Sequence, residues 1–186
     1  MIYTIWFTGL SGSGKTTIAT SLQKALKGRN ENTVLLDGDA VRQMMSFDLS
    51  VNKHGGETHT IRIANMCYLV NANGISSIAC SISPTRSLRK YARYLTKNFI
   101  EVYMKCPIEI CNQREVKGYI KEELTDDKKE FMGINQSFEE PDKPELVLET
   151  DRLPVKECVD AIISYLEKNN IIGGKNDLQE SEIQTS

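Results

Sequence analysis

Short apolar runs alternate along this chain with longer stretches whose apolar residues return every third or fourth position. The runs at 2–8, 33–36, 75–81, 99–104 and 146–148 are too brief for helices and read as buried strands. Between the first two, Ile18, Ala19, Leu22, Ala25 and Leu26 form one face of a helix over 16–26 that Gly28 ends. Ile63, Met66, Cys67 and Val70 do the same over 61–71, where Asn73 and Gly74 close the helix. Shorter helices are expected to close at 91–95 and to cover 108–114, with an amphipathic one at 155–168. Strands separated by helices predict an α/β fold, a three-layer sandwich with a parallel sheet covered on both faces.

Two stretches break this alternation. Residues 115–140 are dense in charge, with Lys117, Lys121, Glu122, Glu123, Asp126, Asp127, Lys128, Lys129 and Glu130 close together, which reads as a mobile charged lid or as a solvated surface helix. Residues 173–186 are polar with little to bury and predict a disordered tail, leaving one domain over 1–172.

Composition then narrows the partners. The chain has 186 residues and a formal charge of −2, with no basic excess to attract a nucleic acid polymer or an anionic membrane, so a small molecule is the expected partner. The early apolar run is too short for a secretory core or a membrane span, and a cytoplasmic protein is expected. Five cysteines, an odd number with no C-x-x-C spacing, indicate neither a disulfide framework nor a zinc site. Buried thiols are expected, a close redox pair being the alternative.

The chemistry begins at residues 9–16, Gly-Leu-Ser-Gly-Ser-Gly-Lys-Thr, a phosphate-binding loop set between an apolar strand and a helix. Its backbone N–H groups, from Gly9 through Ser11, Gly12, Ser13 and Gly14 to Thr16 and Thr17, would cradle the polyphosphate of ATP at the helix N-terminus. Lys15 would reach the β- and γ-phosphates, and the Thr16 hydroxyl would ligate Mg²⁺. A Cβ at Gly9, Gly12 or Gly14 would block the approach to phosphate or demand an unfavourable φ.

The second strand ends in Asp37-Gly38-Asp39, at the carboxyl edge where sheets of this kind bind ligands. Phosphoryl transfer to an alcohol needs a proton acceptor and a metal partner; Asp39 is the candidate base and Asp37 the candidate partner of the metal. A turn that merely caps the next helix is the other reading. Arg42, three residues on, would clamp an anionic acceptor or lie on the surface. Arg86, Arg89 and Arg93 follow the third strand at the same edge, where they suit either anion binding or a solvated basic face.

With these segments the chain resembles the adenylyl-sulfate kinase family over residues 5–150. The motifs are the phosphate loop, Leu-Asp-Gly-Asp-Ala-Val-Arg at 36–42, Ile-Ser-Pro at 82–84, Phe-Ile-Glu-Val-Tyr at 99–103, Arg-Glu-Val-Lys-Gly at 114–118 and Phe-Met-Gly-Ile at 131–134. The resemblance implies a P-loop kinase that uses ATP and Mg²⁺ to phosphorylate the ribose 3′-hydroxyl of adenylyl sulfate, usually as a homodimer. It places Asp39 near that hydroxyl and Arg42 beside it, Arg114 and Lys117 in the lid with Arg114 toward the nucleotide cofactor, and Phe131 on the acceptor base. It maps the family's proposed phosphoserine to Ser83, a step that in-line transfer does not require.

The chain departs from the family pattern on the acceptor side and in the lid, while the ATP side is intact. Val51 and Asn52 replace Phe-Ser, Gly56 and Ile61 replace two arginines, His59 replaces an asparagine, Thr85 a tyrosine, and Glu122 and Leu124 a lysine and an arginine of the lid. Loss of a stacked aromatic removes about 1–3 kcal/mol per base, and loss of arginines weakens the hold on an anion. A changed acceptor follows, with Arg42, Arg62 and Arg86 around its phosphate-like groups and His59 reading a pyrimidine or an amidate, or lying plain on the surface. A relative that phosphorylates cytidine diphosphoramidate for capsular polysaccharide modification fits this pattern, and adenylyl sulfate is the alternative. An inactive nucleotide-binding subunit or a switch protein is the reading from another class; intact Lys15, Thr16, Asp37 and Asp39 argue against it.

Overall fold

In the computed structural model the described residues are 1–114 and 138–173. The chain order is β1 (Thr4–Thr8), α1 (Lys15–Lys27), β2 (Thr33–Asp37), α2 (Gly38–Met45), α3 (Lys53–Ala72), β3 (Ser76–Cys80), α4 (Arg86–Leu95), β4 (Phe99–Lys105), α5 (Ile108–Arg114), β5 (Leu146–Glu149) and α6 (Val155–Lys168). The five strands form one parallel sheet in the order β2-β3-β1-β4-β5. Consecutive residues of the fully buried β1 take opposite faces, as the period of two requires. Tyr3, Ile5 and Phe7 join Leu22 and Leu26 of α1 and Ile162 and Leu166 of α6 in one core layer, while Trp6 joins Val41, Ile63, Cys67, Ala79 and Ala92 in the other. Each large aliphatic or phenylalanine side chain among them contributes about 1.5–3 kcal/mol by leaving water. The predicted sandwich is the observed one.

The third helix departs from its expected limits: it starts at Lys53, not near 61. Asn52 caps the helix with its side-chain oxygen, 2.8 Å from the Gly55 N–H. A Cβ on Gly55 would come within 2.0 Å of the Ser50 carbonyl oxygen, so the tight entry into the helix requires glycine there.

All five cysteines are free and buried. Burial pushes the Cys67 and Cys111 thiols up to about 12, away from thiolate chemistry. No helix among the described residues is long and apolar enough to cross a membrane. The charged stretch expected as a lid lies, up to residue 137, outside the described residues, and so do Lys117, Phe131 and all of the expected tail except Gly173.

Candidate active site

Because every strand of the sheet is parallel, β1, β2 and β3 end on one edge, and the chain leaving each of them contributes to one cleft. The cleft holds about 880 Å³ including its open mouth. Ser11, Lys15 and Thr16 line it from the phosphate loop, Asp37, Gly38, Asp39 and Arg42 from the β2 end and α2, Val51, Gly56, His59 and Thr60 from α3 and its approach, and residues 80–84 from the last residue of β3 onward.

The loop leaves β1 at Thr8 and enters α1 at Lys15. Gly12 adopts φ +76°, and a Cβ on it would sit 2.3 Å from the Cys111 carbonyl oxygen. The glycine thus admits α5 behind the loop. Lys15 Nζ donates to the carbonyls of Gly9 at 2.9 Å and Leu10 at 2.7 Å, folding the cation over the loop. Thr16 and Thr17 are exposed, whereas the Ser13 side chain is fully buried and that residue contributes its backbone. The Ser13 carbonyl accepts from Thr150 Oγ1 at 2.9 Å, and the Thr150 carbonyl accepts from Arg114 Nη1 at 3.1 Å. Arg114 is thereby held on the loop's side of the molecule.

Across the mouth, Thr16 Oγ1 donates to Asp37 Oδ2 at 2.6 Å. The other oxygen of Asp37 accepts from the backbone N–H groups of Asp39 and Ala40 and caps α2. The capping reading of this carboxylate holds for one oxygen, and the other faces the loop through Thr16. Asp39, exposed in the first turn of α2, lines the cleft opposite the loop. Arg42 lines it too, and its guanidinium donates to the carbonyls of Leu49, Ser50 and Gly55, which fixes the loop between α2 and α3.

Other candidate residues sit differently from what their spacing suggests. His59 is not on the surface: its Nε2 lies 3.0 Å from the Gly38 carbonyl and its Nδ1 3.0 Å from Ser46 Oγ. A carbonyl only accepts, so Nε2 carries the proton and Nδ1 accepts from the serine. Burial, then the nearby Arg42 charge, lowers its pKa and keeps it neutral. Both ring nitrogens are thus spent on the protein. Arg62 grips Asp48 with both Nη atoms, at 2.6 and 2.8 Å, and is not part of the cleft wall. Arg86 pairs with Asp142 at 3.1 Å and donates to the Glu140 carbonyl. Arg89 and Arg93 form ion pairs with Glu101 and Glu145, so each of the three arginines of α4 is paired with a carboxylate, Arg89 in the interior and Arg86 at the surface.

Ser83 lines the cleft with its hydroxyl fully committed. Trp6 Nε1 donates to Ser83 Oγ at 3.0 Å, Ser83 Oγ donates to Thr8 Oγ1 at 2.9 Å, and the residue is 0% exposed. Thr60 and Ser81 line the cleft, and Thr150 braces the phosphate loop through Ser13, without any motif that marks them as chemistry. Ser81 and Thr150 follow strands at the carboxyl edge, and that placement is their one signal in the sequence.

The family model for adenylylsulphate kinase matches residues 1–149. The chain belongs to the adenylyl-sulfate kinase family. Among its relatives, the adenylyl-sulfate kinase of Clostridium acetobutylicum is 41% identical over 169 residues, 90% of this chain and 84% of the relative. That of Halothermothrix orenii is 38% identical and covers 94% of this chain and 95% of its own length. The solved structure of Mycobacterium tuberculosis APS kinase in complex with AMPPNP and APS superposes with a TM-score of 0.80 at 31% identity, over 89% of this chain and 98% of that one. Shikimate kinase from Aquifex aeolicus, at 16% identity and a TM-score of 0.57, shares the fold. The chain is an adenylyl-sulfate kinase-like, ATP-dependent phosphotransferase.

Proposed function

We propose that this chain transfers the γ-phosphoryl group of ATP to the ribose 3′-hydroxyl of adenylyl sulfate. The observation that carries this reading is the convergence in one cleft of Lys15 and Thr16 from the loop with Asp39 and Arg42 from α2. Lys15 exchanges the Gly9 and Leu10 carbonyls for phosphate oxygens, and Asp39 accepts the proton as the hydroxyl oxygen bonds to phosphorus and the bond to the β-phosphate oxygen breaks. Arg42 orders the wall that faces the acceptor. The hydroxyl of Thr16 and the carboxylate of Asp37, 2.6 Å apart, are hard oxygen donors that suit Mg²⁺, which takes its other ligands from phosphate and water. Bound there, the ion would neutralise charge on the phosphates.

A second reading, cytidine diphosphoramidate as acceptor, draws on the cleft wall. Val51, Gly56, Thr60 and Ser81 line it, and Arg62 is bound to Asp48 elsewhere, which suits a smaller base and a less anionic end group. ADP release with Mg²⁺-ATP and each acceptor in turn tests both. Turnover with adenylyl sulfate supports the first reading, turnover with the cytidine compound alone supports the second, and acceptor-independent hydrolysis would support a switch protein.

For the assembly we propose a homodimer. Met44, Phe47, Leu69 and Tyr94, between 60% and 90% exposed, belong to α2, α3, α4 and their flanks. Tyr91 bonds Asn65 across α3 and α4, and Arg62 bonds the Met45 carbonyl, so these segments pack as one side of the molecule. An apolar surface of this kind suits a second copy.

A further inference from the structure

We propose that Arg89 is a positioning residue for the acceptor, acting through Ser83. Arg89 is 3% exposed, behind the cleft. Its Nη1 donates to the Ser83 carbonyl at 2.6 Å, its Nη2 to the Glu139 carbonyl at 2.5 Å, and its Nε lies 2.8 Å from Glu101 Oε1. The ring of Phe138 packs against the guanidinium, with its centroid 5.4 Å from Cζ. A planar fork is the one cationic group that meets three such partners at once.

What this cation holds is an unusual piece of backbone. Ser83 has φ +41°, a conformation that a residue with a Cβ keeps only when its surroundings impose it. Three bonds impose it: Arg89 on the carbonyl, Trp6 on the hydroxyl, and Thr8 beneath that hydroxyl. The Glu139 N–H, donating to the Pro84 carbonyl at 2.8 Å, closes the ring around the turn. Ile82, Ser83 and Pro84 are the cleft wall beyond β3. The wall is therefore set from behind by a buried charge, and Glu101 compensates that charge so that it stays in the interior. This inference rests on the cleft being the acceptor site, because only then does the placement of the wall govern the acceptor and leave ATP alone.

The test uses the single tryptophan of the chain. The Trp6 indole N–H bonds Ser83 Oγ, so its lone resonance in a ¹⁵N NMR spectrum reports on the turn without any substrate. Arg89→Gln is expected to shift that resonance, to speed its hydrogen exchange about tenfold and to raise KM for the productive acceptor about tenfold, the scale of one charge-assisted hydrogen bond, with KM for ATP unchanged. Arg89→Lys keeps a charge beside Glu101 but not the fork, and is expected to change both readouts in the same direction. Glu145→Gln breaks the same ion-pair network at a distance from Ser83 and serves as the control for plain destabilisation. The proposal is overturned if Arg89→Gln and Glu145→Gln move the indole resonance and the acceptor KM alike, or if Arg89→Lys behaves as the unaltered protein. Should neither adenylyl sulfate nor cytidine diphosphoramidate be turned over, the proposed acceptor is what fails, and the indole resonance still decides whether Arg89 sets the Ser83 turn.

Discussion

Thr16 and Asp37, 21 residues apart in sequence, meet through a 2.6 Å hydrogen bond that joins the first turn of α1 to the end of β2. The same carboxylate starts α2 by accepting the Asp39 and Ala40 N–H groups at 3.1 and 3.2 Å. One side chain thus sets both halves of the site: its Oδ2 faces the phosphate loop, and its Oδ1 begins the helix that presents Asp39 and Arg42.

These two tasks separate by mutation. Asparagine caps helices as well as aspartate does, so Asp37→Asn is expected to keep the fold within about 1 kcal/mol while removing the charge beside Thr16. Turnover is expected to fall about 10²-fold, the scale of losing one preorganised electrostatic partner, with a higher Mg²⁺ requirement. Asp37→Ala loses the cap as well and should also lower the melting temperature. Equal melting temperatures for the two variants would show that the cap contributes nothing.

Asp39 sits in the first turn of α2, exposed at the cleft, where a carboxylate can take the acceptor's proton. Asp39→Asn leaves size and helix intact and is expected to reduce kcat by about 10²–10⁴-fold with little change in ATP binding. Full activity in this variant would remove Asp39 from the mechanism and leave positioning and charge to drive transfer.

A phosphoserine at Ser83 is not expected, because its proton is spent on Thr8 and its oxygen on Trp6 in a fully buried position. Incubation with γ-labelled ATP and no acceptor should leave the protein unlabelled. Ser83→Ala should instead destabilise the fold by about 1–3 kcal/mol, the cost of stranding a buried donor on Trp6. Label that appears on the protein and disappears in Ser83→Ala would reverse this.

The contrast between the loop and the arginines shows what a sequence of this kind reveals. Residues 9–16 build their site within one local segment, between a strand and a helix that periodicity marks plainly, so motif and structure agree. Arg86, Arg89 and Arg93 look like an anion cluster because their partners are remote: Glu145 lies 52 residues beyond Arg93, and spacing carries no trace of that pairing. His59 is hidden for a related reason. Its helix begins at Lys53, eight residues before the apolar period at 61, and the ring is buried against Ser46 and Gly38. Charge partners and tight backbone approaches are tertiary facts, and they decide which polar residues remain for the ligand.

The apolar side formed by α2, α3 and α4 offers a test of assembly. Leu69 is 60% exposed on α3, remote from the phosphate loop in sequence, and Leu69→Glu would place a charge in the proposed interface at little expense to the monomer. Light scattering should give a dimer for the natural protein and a monomer for the variant. A monomer in both cases would leave this surface for another partner.

His59 makes stability depend on pH. Burial and the charge of Arg42 lower its pKa from the ordinary 6.5, against weaker opposing contributions from the Gly38 carbonyl and Asp39. The unfolded chain therefore binds a proton on this residue at a pH where the folded chain resists it, and stability falls as pH falls. The contribution is intact above the unfolded value of 6.5 and is lost as pH drops through the lower folded value, by about 1.4 kcal/mol for each unit that separates the two. His59→Gln can still bond Gly38 or Ser46 but takes up no proton, so its melting temperature should stay flat between about pH 7 and about pH 5 where the natural protein's declines. Parallel declines would show that His59 does not carry the acid sensitivity in this range; carboxylates such as Asp48, whose pKa the bidentate bond from Arg62 lowers, lose their partner only at more acidic pH.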